Sequence, residues 1–345
     1  MSGRETPTRH LCVLRFSAMG DVAMCVPVIV RCLQQNPSLH VTFVSNKAFE
    51  PFFHGIPRLR FLPADLKGRH RGIAGLTRLF REILSETRFE AVADLHSVLR
   101  SEYLSLLFRI YGIPVKTIDK GRREKREVTR RHDKRLRPLA TTFERYAKVL
   151  GDLGLPASLD TPTPPRQRGS APDADGRRRI GIAPFAKHLE KTWPEAKMKA
   201  LVRLLIERGD IRVMLFGGGA EEAARLRQWE SDLPGIEVVA GRYALEEELA
   251  VVSTLDLMVS MDSANMHIAS LFGVPVVSIW GATHPFAGFM GWGQTAALAV
   301  QSDIHCRPCS VFGNKTCFKG TRECLTGISP DTVYVRVMEG LGLSA

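Results

Sequence analysis

Residues 255–285 read LDLMVSMDSANMHIASLFGVPVVSIWGATHP, a strand, a helix and a second strand in succession. LDLMVS is an apolar run of strand length, ANMHIASLF has the spacing of an amphipathic helix, and Gly273 supplies its stop. PVVSIW then resumes as a strand. Two strands joined through a helix run parallel, with the helix crossing over the sheet. Asp262 and Ser263 therefore stand where the first strand ends and the helix begins. The free backbone N–H groups of that first turn, around Ser263, Ala264 and Asn265, point outward, where the helix dipole favours a phosphate. His267, one turn on, adds a charge-assisted donor. The plainer alternative makes Asp262 or Ser263 an N-cap and His267 an exposed helical residue.

The same alternation extends in both directions. RRIGIA, IRVMLF and IEVVA precede this segment, and HLCVLRF, HVTFVS and FEAVADL lie in the first half, separated by helix-length stretches such as LTRLFREILSE and EAKMKALVRLLIERG. Repeated strand and helix specify α/β architecture with doubly wound parallel sheets. A stretch rich in Pro, Gly, Ser and charge, residues 159–178, has no apolar period and reads as a linker. The expectation is a first Rossmann-like domain over 1–158 and a second over 179–329, facing each other across a cleft. The segment 330–345, opened by Ser-Pro-Asp, is expected to form a helix that packs back on the first domain. In such sheets ligands bind outside the strand C-termini, so the residues at strand ends matter most.

Bulk properties agree with this division. A length of 345 residues corresponds to about two domains, and 44% hydrophobic with 24% charged residues gives each half material for a core. Arg15 interrupts the first apolar run before it reaches signal-peptide length, and no uncharged stretch approaches the ~20 residues that span a bilayer. The expectation is a cytoplasmic, non-spanning protein. Lys and Arg number 48 against 36 acids, a net charge of +12. Residues 116–137 carry eleven of the bases and four of the acids, so something anionic is expected to approach there. No Phe, Tyr or Trp lies between Gly112 and Thr142 to stack on a base, which argues against nucleic acid.

Three further strand-to-helix loops carry candidate chemistry. PFAKHLEKTWP, residues 184–194, offers Lys187 and Lys191 to a phosphate on the same sheet edge. FGGGAEEAARL, residues 216–226, has two glycines of a dinucleotide fingerprint but Glu222 at the third position, so a dehydrogenase-type pyrophosphate loop is not expected. Glu221 or Glu222 suits a ribose hydroxyl, or a helix dipole alone. FSAMGDV, residues 16–22, follows the first strand; Gly20 is expected to turn the backbone tightly and Asp21 to stand at the mouth of the cleft as a general base. Its structural alternative is an N-cap.

RFSAMGDVAMCVP, KTWP, FGGGAEE and MDSANMHIASLFGVPVVSIWGATHP, in this order, resemble the motifs of glycosyltransferase family 9, the ADP-heptose:lipopolysaccharide heptosyltransferases. The resemblance implies the GT-B fold, with acceptor on the N-terminal domain and nucleotide sugar on the C-terminal one. It implies an inverting, metal-independent transfer of a heptose or related sugar from an ADP-sugar to the lipopolysaccharide inner core, with no cofactor. It makes Asp21 the base, assigns Lys191, Glu221 and the Asp262–His267 stretch to the donor, and places Ser17, His96 and Arg100 beside the acceptor. Fixed N–H donors and a lysine can stabilise a departing diphosphate in place of a metal ion. The one Asp-x-Asp triplet, Asp173–Asp175, falls in the expected linker and is not read as a metal site. Family members commonly carry Gly where this chain has Ala264 and an acid where it has His284, which leaves the transferred sugar undetermined.

The basic run falls in the first domain on this reading, where it suits the phosphates and carboxylates of an anionic lipid-linked saccharide, of the lipid A and Kdo type, or anionic headgroups at the cytoplasmic face of the inner membrane. A solvated loop is the alternative. Cys12, Cys25 and Cys32 read as small core residues. Cys306, Cys309, Cys317 and Cys324 begin with C-x2-C but lack a second such pair, so the spacing leaves a zinc site open. Two rival functions also stand: a GT-B-like nucleotide-sugar epimerase or hydrolase, and a basic nucleic-acid-binding protein.

Overall fold

A computed structural model describes residues 8–170 and 176–344. The Asp173–Asp175 triplet, the start of the chain and part of the expected linker lie outside the described residues. The chain divides into two units, Met1–Lys120 with Thr142–Pro162, and Gly121–Thr141 with Thr163–Ala345.

The first unit is built on five strands: β1 (Arg9–Leu14), β2 (Leu39–Ser45), β3 (Leu59–Pro63), β4 (Ala91–Asp94) and β5 (Val115–Thr117). Their order is β3-β2-β1-β4-β5, all parallel. The chain winds outward from β1 through β2 to β3, then returns to the other side of β1 as β4. The β1/β4 junction is thus the topological switch point, where helices leave opposite faces and a crevice opens at the strand C-termini. The helix Gly72–Glu86 covers one face by burying Leu76, Leu79 and Ile83, whose spacing of three and four residues makes one apolar stripe.

The second unit holds β6 (Arg178–Ala183), β7 (Ile211–Leu215), β8 (Ile236–Val238), β9 (Leu257–Met261), β10 (Val276–Trp280) and β11 (Ala299–Gln301). The order β11-β10-β9-β6-β7-β8 is again wholly parallel, with its switch point between β6 and β9. Its core gathers Trp193, Trp229, Leu201, Leu226, Ile182 and Met261, none more than 1% exposed. Fully burying side chains of this size contributes about 1.5–3 kcal/mol each.

Two expectations need correction. The C-terminal helix Pro330–Leu341 opens as expected, with Ser329 Oγ accepting the Thr332 N–H and Pro330 in the first turn. It packs on the second unit's sheet, however, because Val333, Val337 and Met338 enter that unit's core beside Ile182, Leu257 and Ile279. The basic segment Gly121–Thr141 likewise belongs to the second unit. There the Lys134 ammonium donates to the carbonyls of His305 (3.0 Å) and Arg307 (2.9 Å), and the Leu139 N–H donates to the Phe286 carbonyl. The described part of the expected linker, 159–170, holds no helix or strand, and the boundary between the units at Pro162 and Thr163 falls inside it. Thr161 O accepts from Arg31 within the first unit, whereas Thr163 O accepts from the Trp292 indole and the Arg166 and Gly169 amides reach Leu271 and Ser253 within the second.

Candidate active site

In the first unit the candidate residues gather at the β1/β4 switch point. Arg15 follows the last residue of β1, and its side chain is 8% exposed. Its Nη1 donates to the Leu95 carbonyl at 2.6 Å, and its guanidinium carbon lies 5.9 Å from the Tyr146 ring centroid. This buried cation grips Asp21, with Nη2 to Oδ2 at 2.7 Å. The same Oδ2 accepts the Ala18 N–H at 3.2 Å, so Asp21 is the third helical residue of a capping arrangement and not the N-cap itself. Gly20 lies inside the short helix Met19–Ala23 and has no left-handed φ, so the expected tight glycine turn is absent. With Oδ2 doubly occupied and the side chain 32% exposed, Oδ1 accepts no hydrogen bond among the described residues.

His96, from the loop after β4, sits beside this pair. The Phe16 N–H donates to Nδ1 at 3.4 Å, which makes Nδ1 the acceptor and leaves the proton on Nε2. Nε2 then lies 3.5 Å from Ser17 Oγ. Burial, with the charges of Arg15 and Lys120, pushes the imidazole down to about 3, so the ring is neutral near pH 7. Ser17 Oγ thereby receives a hydrogen bond and keeps its own proton for an incoming oxygen. Beneath the loop, buried Asp94 accepts the His96 and Ser97 N–H groups at 2.9 Å each, fixing the ring's position. Arg100 is exposed in the first turn of the helix Leu99–Ile110.

In the second unit the candidates come from the C-terminal ends of β9, β6 and β7, three adjacent parallel strands. Lys191 Nζ meets Asp262 Oδ2 at 3.0 Å, with side chains 15% and 6% exposed. Gly313, at φ 71°, lies against the Lys191 stem so closely that a Cβ there would overlap it. An ammonium carries three donors, so Asp262 leaves two. Ser263 is the N-cap position of the helix Ala264–Leu271, but its hydroxyl pairs with Ser260 Oγ at 3.0 Å and makes no cap hydrogen bond. The N-terminal amides of that helix are consequently not covered by the side chain expected to cap them, and Ser263, Ala264 and Asn265 are half-buried. His267 is buried at 6% exposure. In the β7 loop Glu222 accepts the Gly218 N–H at 2.7 Å and is committed to the loop, which leaves exposed Glu221 as the carboxylate open to a ligand.

All seven cysteines are free thiols. Cys12, Cys25 and Cys32 are fully buried, as core residues should be. The four late ones line one small cavity of about 10 Å³, yet no three His, Cys, Asp or Glu side chains among the described residues are grouped to hold a metal ion.

Sequence spacing did not single out Arg15 as a site residue. Its signal was a charge at the end of an otherwise apolar strand, a position that requires a partner once buried.

Residues 76–317 match the profile of glycosyltransferase family 9 (heptosyltransferase). The lipopolysaccharide heptosyltransferase 1 of Pseudomonas aeruginosa is 26% identical over 94% of this chain and 96% of its own length. Among solved structures, the family 9 glycosyl transferase of Veillonella parvula superposes with a TM-score of 0.75 at 20% identity, covering 99% of each chain. The E. coli heptosyltransferase WaaC, solved with ADP, superposes at 0.62 with 20% identity over 83% of this chain and 92% of its own. The fold is therefore that of the GT-B heptosyltransferases. Two switch-point sites on two parallel sheets and a profile spanning most of the sequence agree: this chain belongs to glycosyltransferase family 9.

Proposed function

We propose that the protein transfers a heptose, with inversion and without a metal ion, from an ADP-sugar to an inner-core hydroxyl of lipopolysaccharide. The observation that carries this reading is Asp21, whose Oδ2 is fixed by Arg15 and Ala18 while Oδ1 stays open. In the reaction, the acceptor oxygen forms a bond to the anomeric carbon as the bond from that carbon to the diphosphate breaks. The leaving electron pair goes to ADP, and the hydroxyl proton goes to Asp21 Oδ1. A single displacement from the opposite face inverts the centre.

Ser17, poised by neutral His96, is suited to orient the acceptor. Lys191 and the amides at the start of the helix Ala264–Leu271 answer the negative charge that grows on the diphosphate. Asp262 orients Lys191, and Glu221 is placed to meet ribose hydroxyls. A lipid-linked acceptor also requires a membrane surface. No helix among the described residues is long and apolar enough to cross a bilayer. The helix Leu99–Ile110 instead exposes Leu99 (85%), Leu106 (51%) and Ile110 (74%) along one side, next to Arg100 and Arg109, which supports peripheral contact with the anionic inner leaflet.

Titration with ADP-, GDP- and UDP-sugars tests the donor class. At about 100 times its dissociation constant, the matching ligand should stabilise the fold by about 2.7 kcal/mol. Stabilisation by a UDP-sugar with none by ADP-sugars would overturn the donor assignment. Rapid ADP release with no acceptor present would favour a hydrolase.

A further inference from the structure

The basic segment that joins the second unit forms one wall of a cavity of about 510 Å³, and the cysteine-bearing loop after β11 forms the other. Arg126, Arg130, Arg131, Lys315 and Lys319 line it, and among the described residues no carboxylate and none of the candidate donor residues does. We propose that this cavity binds a phosphate monoester carried on a saccharide of the acceptor class inferred above.

The cations are arranged, not merely abundant. Arg131 lies 4.0 Å from the Phe318 ring centroid, a cation–π contact that holds the guanidinium at the cavity wall. Lys134, bonded to the carbonyls of His305 and Arg307, pins the segment to the loop, and Lys125 is buried 4.4 Å from the Phe289 ring centroid. Those contacts fix the backbone from which Arg126 and Arg130 project. Arg126, Arg130 and Lys315 form no ion pair among the described residues, whereas Lys319 leans toward Glu323 at 3.6 Å. Like charges gathered in one concavity repel, and a bound anion removes that cost. A phosphate monoester suits the set because it carries up to two charges and accepts the paired N–H groups of a guanidinium. The volume accommodates a phosphorylated sugar.

The proposal rests on the acceptor reading, and its test separates the two. Full-length protein, saturated with ADP to fill the donor site, is titrated calorimetrically with glucosamine 6-phosphate, glucosamine and inorganic phosphate. Glucosamine 6-phosphate should bind, more tightly than inorganic phosphate, while glucosamine should not. The double variant Arg130→Ser/Lys315→Ser, at exposed residues, should weaken that binding about tenfold or more with ADP affinity unchanged. Raised salt should weaken it further. Equal affinity of wild type and double variant for glucosamine 6-phosphate would overturn the site. Equal affinity of inorganic phosphate and the sugar phosphate would overturn saccharide recognition. Failure of ADP to bind would count against the donor reading, and the double variant would still judge the cavity.

Discussion

Replacing Asp21 by Asn changes one atom and removes one charge. The amide oxygen still accepts from Arg15 or Ala18, so the turn between β1 and the following helix should persist. What is lost is charge assistance in a bond to a guanidinium that is 8% exposed, while Asp21 itself is 32% exposed. Deleting one member of a fully buried pair costs about 3–5 kcal/mol. A partly exposed, isosteric replacement should cost less, about 1–3 kcal/mol. Arg15 also keeps the Leu95 carbonyl and the Tyr146 ring. Against a typical stability of about 5–15 kcal/mol, the variant remains folded at assay temperature. Turnover should nevertheless fall about 10²–10⁴-fold, the usual worth of a positioned general base, which corresponds to about 3–5 kcal/mol of barrier. The assay is steady-state ADP release with acceptor present, run beside a thermal melt and an ADP titration. A folded variant whose kcat stays within about threefold of wild type, with unchanged ADP affinity, would refute the role of Oδ1.

Lys191→Met should raise the dissociation constant for ADP about 10–100-fold by calorimetry, and should lower stability because Asp262 is left buried without its cation. Gly313→Ala should mimic this in part, since its Cβ would displace the Lys191 stem; unaltered ADP affinity would show that the lysine's position is immaterial. The pH dependence of stability follows from His96, held near 3 when folded against 6.5 ordinarily. Between those values the unfolded chain binds a proton that the folded one refuses, so this contribution is complete above about pH 6.5 and is lost as pH falls toward 3. The slope is at most about 1.4 kcal/mol per pH unit. Melting curves of His96→Asn should therefore fall less steeply in acid than those of wild type; parallel curves would contradict the buried neutral ring.

Eight strands were legible because each carries a β-branched or aliphatic run, largely buried in all but the short edge strand β8, from the LCVL of β1 to the VVSIW of β10. The unread ones, β3, β5 and β11, are edge strands of three to five residues whose side chains are largely exposed or half-buried, so they carry little apolar signal. The candidate donor-site residues were visible because they follow strands in the sequence. The Arg15–Asp21–His96 cluster was only half visible, since His96 reaches Ser17 across 79 positions and local spacing holds no record of that contact. Charge revealed the basic segment, but not its host. Lys134 and Arg131 dock on carbonyls and a ring some 170 to 187 residues away, and these contacts assign the segment to the second unit. In the same way, the spacing of Val333, Val337 and Met338 announces an amphipathic helix but not which sheet it covers.

The most direct measurement is product formation from ADP-heptose and a heptose-deficient lipopolysaccharide acceptor in the presence of EDTA. Mass spectrometry would read the acceptor, and NMR the new anomeric linkage. One heptosyl group should be added per ADP released, with inverted configuration and no loss of rate on chelation. A retained configuration, or release of ADP with no gain in acceptor mass, would contradict it.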